Sequence, residues 1–461
     1  MRSISLVTTI LVPLLIYPYI CRVLRPAGIG AVNFAQSVVY YFTVVAQLGV
    51  PTYGIRECAK VRDNPIALSR LVQEILILNS ITCLVSYALF FICLFTVPQM
   101  RNEKTLFIVM SVATLLNVIG VEWLFSALEM YDYLAILSII SKIIMVLGVF
   151  LLVKTETDYV IYGALYVIGR VGWGVVNFCM LSKYVSLRPV GDYNFKKHIR
   201  PIMVFFGMTV ATTIYTQMDA VMLGFMKGTT ENGFYDAAVN CKLVLVSLIT
   251  SLGTVLLPRA SAQLEKGDEK SFRYSSREAL SFVIAMAVPL CVYFILFAGP
   301  VIMLLSGKEF GNSVLPMRLI MPSLLFIGMT NITGLQVMVP LGKEKGVLYA
   351  EIAGATVNLI VNALLIPKFG ASGAAIGTVG AEVFVTAVEF WCIRDMLPEL
   401  FRKINFVKIL FAAAAGTAAS FWLLNKDWNI FAQLIVSAVL FFGVYCAIVA
   451  PEYVGKLGKA T

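Results

Sequence analysis

The chain has 461 residues, of which 59% are hydrophobic and 13% charged, with a formal net charge of +10. A water-soluble domain carries about 45–50% apolar and about 25% charged residues. The mean hydropathy of +0.87 therefore excludes a soluble protein and points to a chain built for the bilayer, with its basic excess a guide to orientation before it is a guide to ligands.

A bilayer-crossing helix needs about 20 mostly apolar residues. In chain order the sequence predicts fourteen, at 4–21, 31–54, 71–97, 105–127, 133–153, 158–182, 201–226, 233–257, 279–305, 314–339, 347–366, 371–393, 406–424 and 429–450. The first follows Arg2 alone and has no Ala-x-Ala-like cleavage site, so it reads as a retained helix rather than a secretory signal. Breaks fall at Pro, Gly and charge clusters around 62–65, 265–268 and 342–346. Lys and Arg concentrate in the stretches 56–70, 183–200 and 259–277. With both termini cytoplasmic these stretches all face the cytoplasm, which is the positive-inside asymmetry. No loop reaches the roughly 50 residues that a soluble domain needs. The nine cysteines form no Cys-x-x-Cys pair, so neither a zinc site nor a disulfide framework is indicated.

The chain also repeats. Gly30 and Gly233, Ala35 and Ala238, Arg56 and Arg259, Ala59 and Ala262, and Arg70 and Arg273 share one constant offset. Six spans per copy is an even number, so both copies enter the membrane from the same side, and the repeat is parallel. The expected fold is an all-α integral membrane protein. Two pseudo-symmetric six-helix lobes, 1–190 and 191–400, are followed by two extra helices in 401–461.

Polar residues inside spans are expensive and each needs a reason. Thr209, Thr212, Thr213, Thr216 and Asp219 recur at three- and four-residue spacing and share one face of span seven. Asn33, Gln36, Tyr40 and Gln47 do the same in span two, and Asp236, Asn240, Ser247, Thr250 and Thr254 in span eight. Ser and Thr routinely bond between helices in membranes, but stripes of this length on repeat-related spans favour a hydrophilic cavity. Arg22, Arg25, Arg56, Lys142, Arg170, Lys242 and Arg259 lie in or at the ends of the spans around it, opposed by Asp219, Asp236 and Glu122. A positive cavity suits an anionic substrate, because guanidinium and ammonium groups pair with phosphate oxygens. Arg56 and Arg259 read equally as positive-inside anchors. Glu351, Glu382 and Arg318, near span ends, read as snorkelling side chains. The only histidine, His198, sits in a basic loop with no matching acid.

The stretch RPAGIGAVNFA at 25–35 invites a nucleotide-loop reading and fails it. Its third fingerprint position is Asn33, a long Pro-containing run precedes it, and Tyr53 stands where an acid is needed. Gly28 and Gly30 are better read as shaping a short periplasmic turn between spans one and two.

PYICRVLRPAGIGAVNFAQS at 18–37 and LGVPTYGIRECAKVRDN at 48–64 resemble the opening of Wzx-type polysaccharide flippases, of the multidrug/oligosaccharidyl-lipid/polysaccharide exporter superfamily. Arg22, Val23, Leu24, Pro26, Gly28 and Gly30 match that opening pattern, with Arg25 in place of its usual glycine. The resemblance covers essentially the whole chain. It implies a bacterial inner-membrane flippase, not an enzyme, that moves undecaprenyl-diphosphate-linked oligosaccharide repeat units from the cytoplasmic to the periplasmic leaflet by alternating access. It implies no cofactor beyond a coupling ion, H+ or Na+, for which Asp219, Asp236 and Glu122 are candidates. It implies as partners the lipid-linked diphosphate, the bilayer, and the polymerase and chain-length proteins of the same pathway. A monomer without nucleic acid is expected. A multidrug cation antiporter shares the fold, but would favour embedded acids over bases. A membrane glycan polymerase or glycosyltransferase would need a sizeable loop with paired carboxylates or a nucleotide-sugar site, and neither is seen.

Overall fold

A computed structural model describes the backbone of residues 2–402, 404–426 and 428–457, and side chains from residue 15 onward apart from 252–261, 425 and 452–457. Among the described residues every regular element is helical. The first compact unit, Met1–Gly233, contains α1 (Arg2–Gln47), α2 (Val50–Val61), α3 (Pro65–Thr96), α4 (Pro98–Asn102), α5 (Lys104–Ile119), α6 (Glu122–Ala127), α7 (Tyr131–Leu152), α8 (Tyr159–Val171), α9 (Trp173–Leu181) and α10 (Lys196–Met226). α11 (Thr229–Glu265) runs from this unit into the second, Phe234–Thr461. There follow α12 (Glu269–Leu296), α13 (Ala298–Leu305), α14 (Val314–Ile320), α15 (Ser323–Thr330), α16 (Glu344–Phe369), α17 (Ala371–Cys392), α18 (Leu397–Phe401), α19 (Phe406–Phe421) and α20 (Ile430–Leu457). A π-helical turn, Asn331–Met338, extends α15.

The helices start where the local chemistry dictates. Asn64 accepts hydrogen bonds from the backbone N–H groups of Ile66 and Ala67 at the start of α3, ahead of Pro65 in its first turn. Asp268 does the same for Ser271 at the start of α12.

Among the described residues, eleven helices are long and apolar enough to cross a bilayer, or thirteen when each of two bent pairs is one span. The bent pairs are 156–181, turned by 45° at Gly172, and 308–338, turned by 46°. The sequence suggests fourteen, and the difference lies at the amino-terminal end. Spans one and two fall in α1 and the start of α2, which are counted together; α1 is itself two helical segments joined at Arg25 (φ 55°, ψ 178°). The expected turn is thus made by Arg25, and Gly28 and Gly30 lie inside the helix that follows it.

In unit 1, Phe34, Phe90 and Phe107 centre one core cluster, and Tyr53, Trp123 and Phe125 a second. In unit 2, α19 and α20 pack on α12 and on each other. Tyr293 of α12 anchors them, donating its hydroxyl to the Leu434 carbonyl at 3.0 Å. Leu84, Leu151, Trp391 and Val407 are more than 70% exposed; with no water to avoid, a bilayer-facing helix turns its apolar side outward.

Candidate functional site

The predicted cationic residues separate into those with local partners and those brought together. At the rim of unit 1, Arg22 donates to the Pro18 carbonyl at 2.7 Å, and Arg25 pairs with Glu156 at 2.7 Å. Arg56 donates to Glu57 at 2.9 Å, and Lys60 shares that carboxylate. The Arg56 guanidinium also lies over the rings of Tyr53 and Phe205, 5.7 and 5.3 Å from their centroids. Elsewhere in the unit, the charge of Arg170 of α8, an exposed side chain, acts on Lys142 of α7. Tyr40 of α1 lies in the same field, and Arg170 reaches the Tyr166 hydroxyl at 3.4 Å. Two cations and two phenols from three helices therefore lie within electrostatic reach of one another around Arg170, and neighbouring like charges favour an anion.

Polar residues beside the stripes of spans two and seven meet. The Ser37 hydroxyl lies 3.3 Å from Asn33 Oδ1 and 3.0 Å from Gln217 Oε1. Asp219, two residues on from Gln217, acts electrostatically on Tyr41. Gln36 is half-buried on the same helix as Tyr40. Thr209, Thr212 and Thr216 each donate to the carbonyl four residues back, which satisfies hydroxyls on a membrane helix without a neighbour.

A cavity of about 280 Å³ opens beside Gln47 and Glu122, lined also by Asn117, Ser126, Trp123 and Trp173. Two helix breaks border it, one at Gly120-Val121, where Val121 takes a left-handed conformation (φ 36°), and one at Gly172. Gly120 and Gly174 allow the broken ends to touch, since a Cβ on Gly120 would stand 2.9 Å from the Gly174 Cα. Irregular backbone at membrane depth is tolerated where it lines a polar cavity. Trp173 donates to Glu122 at 3.4 Å.

In unit 2, Asn240 donates to the Asp236 carboxylate at 2.9 Å, one helical turn away, and Thr250 donates to the Val246 carbonyl. Lys242 is half-buried on the same helix. The Arg259 side chain lies outside the described residues. Glu382, expected to snorkel, is instead 7% exposed inside α17.

His198 corrects the sequence expectation most directly. It is fully buried, with Nε2 2.8 Å from Glu74 and Nδ1 2.5 Å from the Tyr53 hydroxyl. A carboxylate only accepts hydrogen bonds, so Nε2 carries the hydrogen toward Glu74. Glu74 also accepts from Lys197 at 2.9 Å and from the Asn194 N–H at 2.6 Å. Gln73 binds the carbonyls of Ser186 and Arg188 and accepts from Tyr193. One Gln-Glu pair thus pins the whole 186–198 connector. The signal was present in the sequence as an acid inside the apolar run that opens span three.

Residues 2–265 match the polysaccharide biosynthesis protein family. The chain belongs to that family. The likeness to Wzx-type flippases read from residues 18–64 is thereby borne out. Two relatives of this family member carry the name "Putative O-antigen transporter". The Escherichia coli K12 protein is 22% identical over 84% of this chain and 93% of its own length. The Shigella dysenteriae protein is 25% identical over 81% and 94%. In fold, this polysaccharide biosynthesis protein is similar to the lipid II flippase MurJ in its inward closed conformation. The TM-score is 0.74 at 17% identity, over 99% of both chains. It is also similar to an inward-facing multidrug resistance MATE family transporter, with a TM-score of 0.60 at 11% identity over 86% of this chain and 99% of the other. The expected all-α membrane fold stands.

Proposed function

We propose that this protein is a flippase for lipid-linked oligosaccharides, carrying undecaprenyl-diphosphate-linked repeat units from the cytoplasmic to the periplasmic leaflet by alternating access. Relatives named for O-antigen transport and a fold shared with a lipid II flippase support the class. The observation that carries the reading is the contact of Arg170 with the Tyr166 hydroxyl at 3.4 Å, with Lys142 and Tyr40 in the field of the same guanidinium. A diphosphate is the chemistry that such a cationic and phenolic group would bind. The polar stripe from Asn33 to Gln47 offers hydrogen bonds to sugars, while the polyprenyl chain stays in lipid. The protein sits in the inner membrane with both termini cytoplasmic and works as a monomer, beside the polymerase and chain-length proteins of its pathway. H+ or Na+ drives the cycle through Asp219, Asp236 or Glu122.

Glycan export in cells tests the reading. Arg170→Ala combined with Lys142→Ala is expected to stop export at normal protein abundance. Wild-type export from that double variant would sink the cationic cavity. Altered drug susceptibility with intact export would favour the multidrug reading, which the MATE-like fold keeps open.

A further inference from the structure

The carboxyl of Glu389 stands apart from every residue discussed above as part of the substrate path. It lies in α17, 2% exposed, and no lysine, arginine or histidine pairs with it among the described residues. Its Oε2 lies 2.5 Å from the hydroxyl of Thr333, which is fully buried in the π-helical turn. The turn is shaped to receive it: a Cβ on Gly334 would stand 2.6 Å from Glu389 Oε1. The charged groups acting on Glu389 are both acids, Glu382 of its own helix and Glu351 of α16.

The hydrogen inventory of this contact is informative. The Thr333 hydroxyl also lies 3.1 Å from the Met329 carbonyl, one turn back. A threonine hydroxyl has a single hydrogen to donate, and a carbonyl has none. Both contacts are full two-centre hydrogen bonds when Glu389 carries a proton and donates it to Thr333 Oγ1, while Thr333 donates to Met329; without that proton the two acceptors must share one hydrogen. Burying a carboxylate without a counter-ion is costly at membrane depth, and holding a proton removes that cost. π-helical turns inside α-helices recur at functional sites.

We infer that Glu389 is a proton-binding site in unit 2, and that Thr333 passes its state to the backbone of the π-helical turn. The proton is taken from water onto a Glu389 carboxyl oxygen and returned to water from the same atom; no other bond changes. Its role as the coupling site of the transport cycle rests on the flippase reading; its existence does not.

The test is pH-difference infrared spectroscopy on the full chain in lipid nanodiscs. The wild type should show a protonated-carboxyl C=O band that appears as pH falls. Glu389→Gln should lose that band, and Thr333→Val, which removes the hydrogen-bond partner but keeps the acid, should shift its frequency. Added sodium should leave the band in place. A band unchanged in Glu389→Gln, or displaced by sodium at fixed pH, would overturn the proton site whatever the protein transports. If Glu389→Gln fails to accumulate, the Thr333→Val shift decides: an unshifted band overturns the relay. Export in cells is the separate second arm. Loss of export in Glu389→Gln at normal abundance supports coupling, and retained export overturns the coupling role while the spectroscopic arm stands on its own result.

Discussion

Gly30 and Gly233, matched at one constant offset in the sequence, touch each other. A Cβ on Gly30 would stand 2.5 Å from the Gly233 backbone nitrogen and would collide with the Thr229 carbonyl. A Cβ on Gly233 would collide with the Pro26 carbonyl. The amide of Asn232 adds to the same seam, donating to the Gly30 carbonyl at 3.5 Å and to the Ala220 carbonyl at 3.1 Å. Two backbones approach here at a distance that only glycine allows, as in close helix packing in membranes generally.

Gly30→Ala and Gly233→Ala are therefore expected to destabilise the protein by about 1–3 kcal/mol or more through overpacking. Gly28→Ala is the control. Its Cβ would meet the Leu24 Cβ at 3.1 Å and the Tyr159 Cβ at 3.4 Å, contacts that a small shift relieves. Thermal unfolding in detergent should rank Gly28→Ala well above the other two. Equal midpoints for all three variants would mean that the seam yields.

Arg25 holds a backbone conformation that favours glycine, at φ 55°. Such strain costs about 1–3 kcal/mol. Its ion pair with Glu156, with both side chains about half exposed, returns only about 0.2–1 kcal/mol. Arg25→Gly should leave the unfolding midpoint unchanged or raise it, even after the roughly 0.4–1 kcal/mol of added chain entropy in the unfolded state. A clear fall in the midpoint would show that the guanidinium contributes more than this pair.

The Arg170 charge acts on Lys142, and a substrate anion would offset the repulsion between two such like charges. Lys142→Met removes the repulsion and keeps the stem. Its expected outcome is an equal or higher unfolding midpoint together with reduced glycan export, the trade-off found where a site is held in strain for function. A lowered midpoint with full export would assign Lys142 a structural role.

Glu74→Ala leaves the His198 ring N–H, the Asn194 N–H and Lys197 without their acceptor. Removing one partner of a buried charged network costs about 3–5 kcal/mol. Tyr53→Phe removes a single hydrogen bond and should cost about 0.5–1.5 kcal/mol. Thermal unfolding reads both, and limited proteolysis should cut Glu74→Ala within 186–198 while sparing the wild type.

Hydrogen bonds from the Ser271 side chain and backbone hold the Asp268 carboxyl below the usual range. Its folded pKa is thus depressed, so its contribution is present above the unfolded value and is lost as pH falls through the folded one. Asp268→Asn keeps an acceptor for the Ser271 N–H but cannot titrate. Amide exchange across the first turn of α12 should speed up on acidification in the wild type and stay flat in the variant. Parallel profiles in both proteins would remove Asp268 from the cap.

Composition and the spacing of apolar runs determined the class of this protein, because the bilayer imposes helix length and apolarity on each span separately. The polar stripes could be read for the same reason: their spacing is a property of single helices. What lies within one helix could not reveal which side chains meet. Glu74 and His198 are separated by 124 positions and read as a stray acid and a lone histidine until α3 and α10 pack together. Glu389 and Thr333, 56 positions apart, are an ordinary acid and an ordinary threonine until a π-helical turn seats one against the other. Gly28 and Gly30 looked like a turn because glycine permits both turns and close approach. Tertiary packing placed the turn at Arg25 and reserved Gly30 for contact with Gly233, where two backbones leave no room for a Cβ.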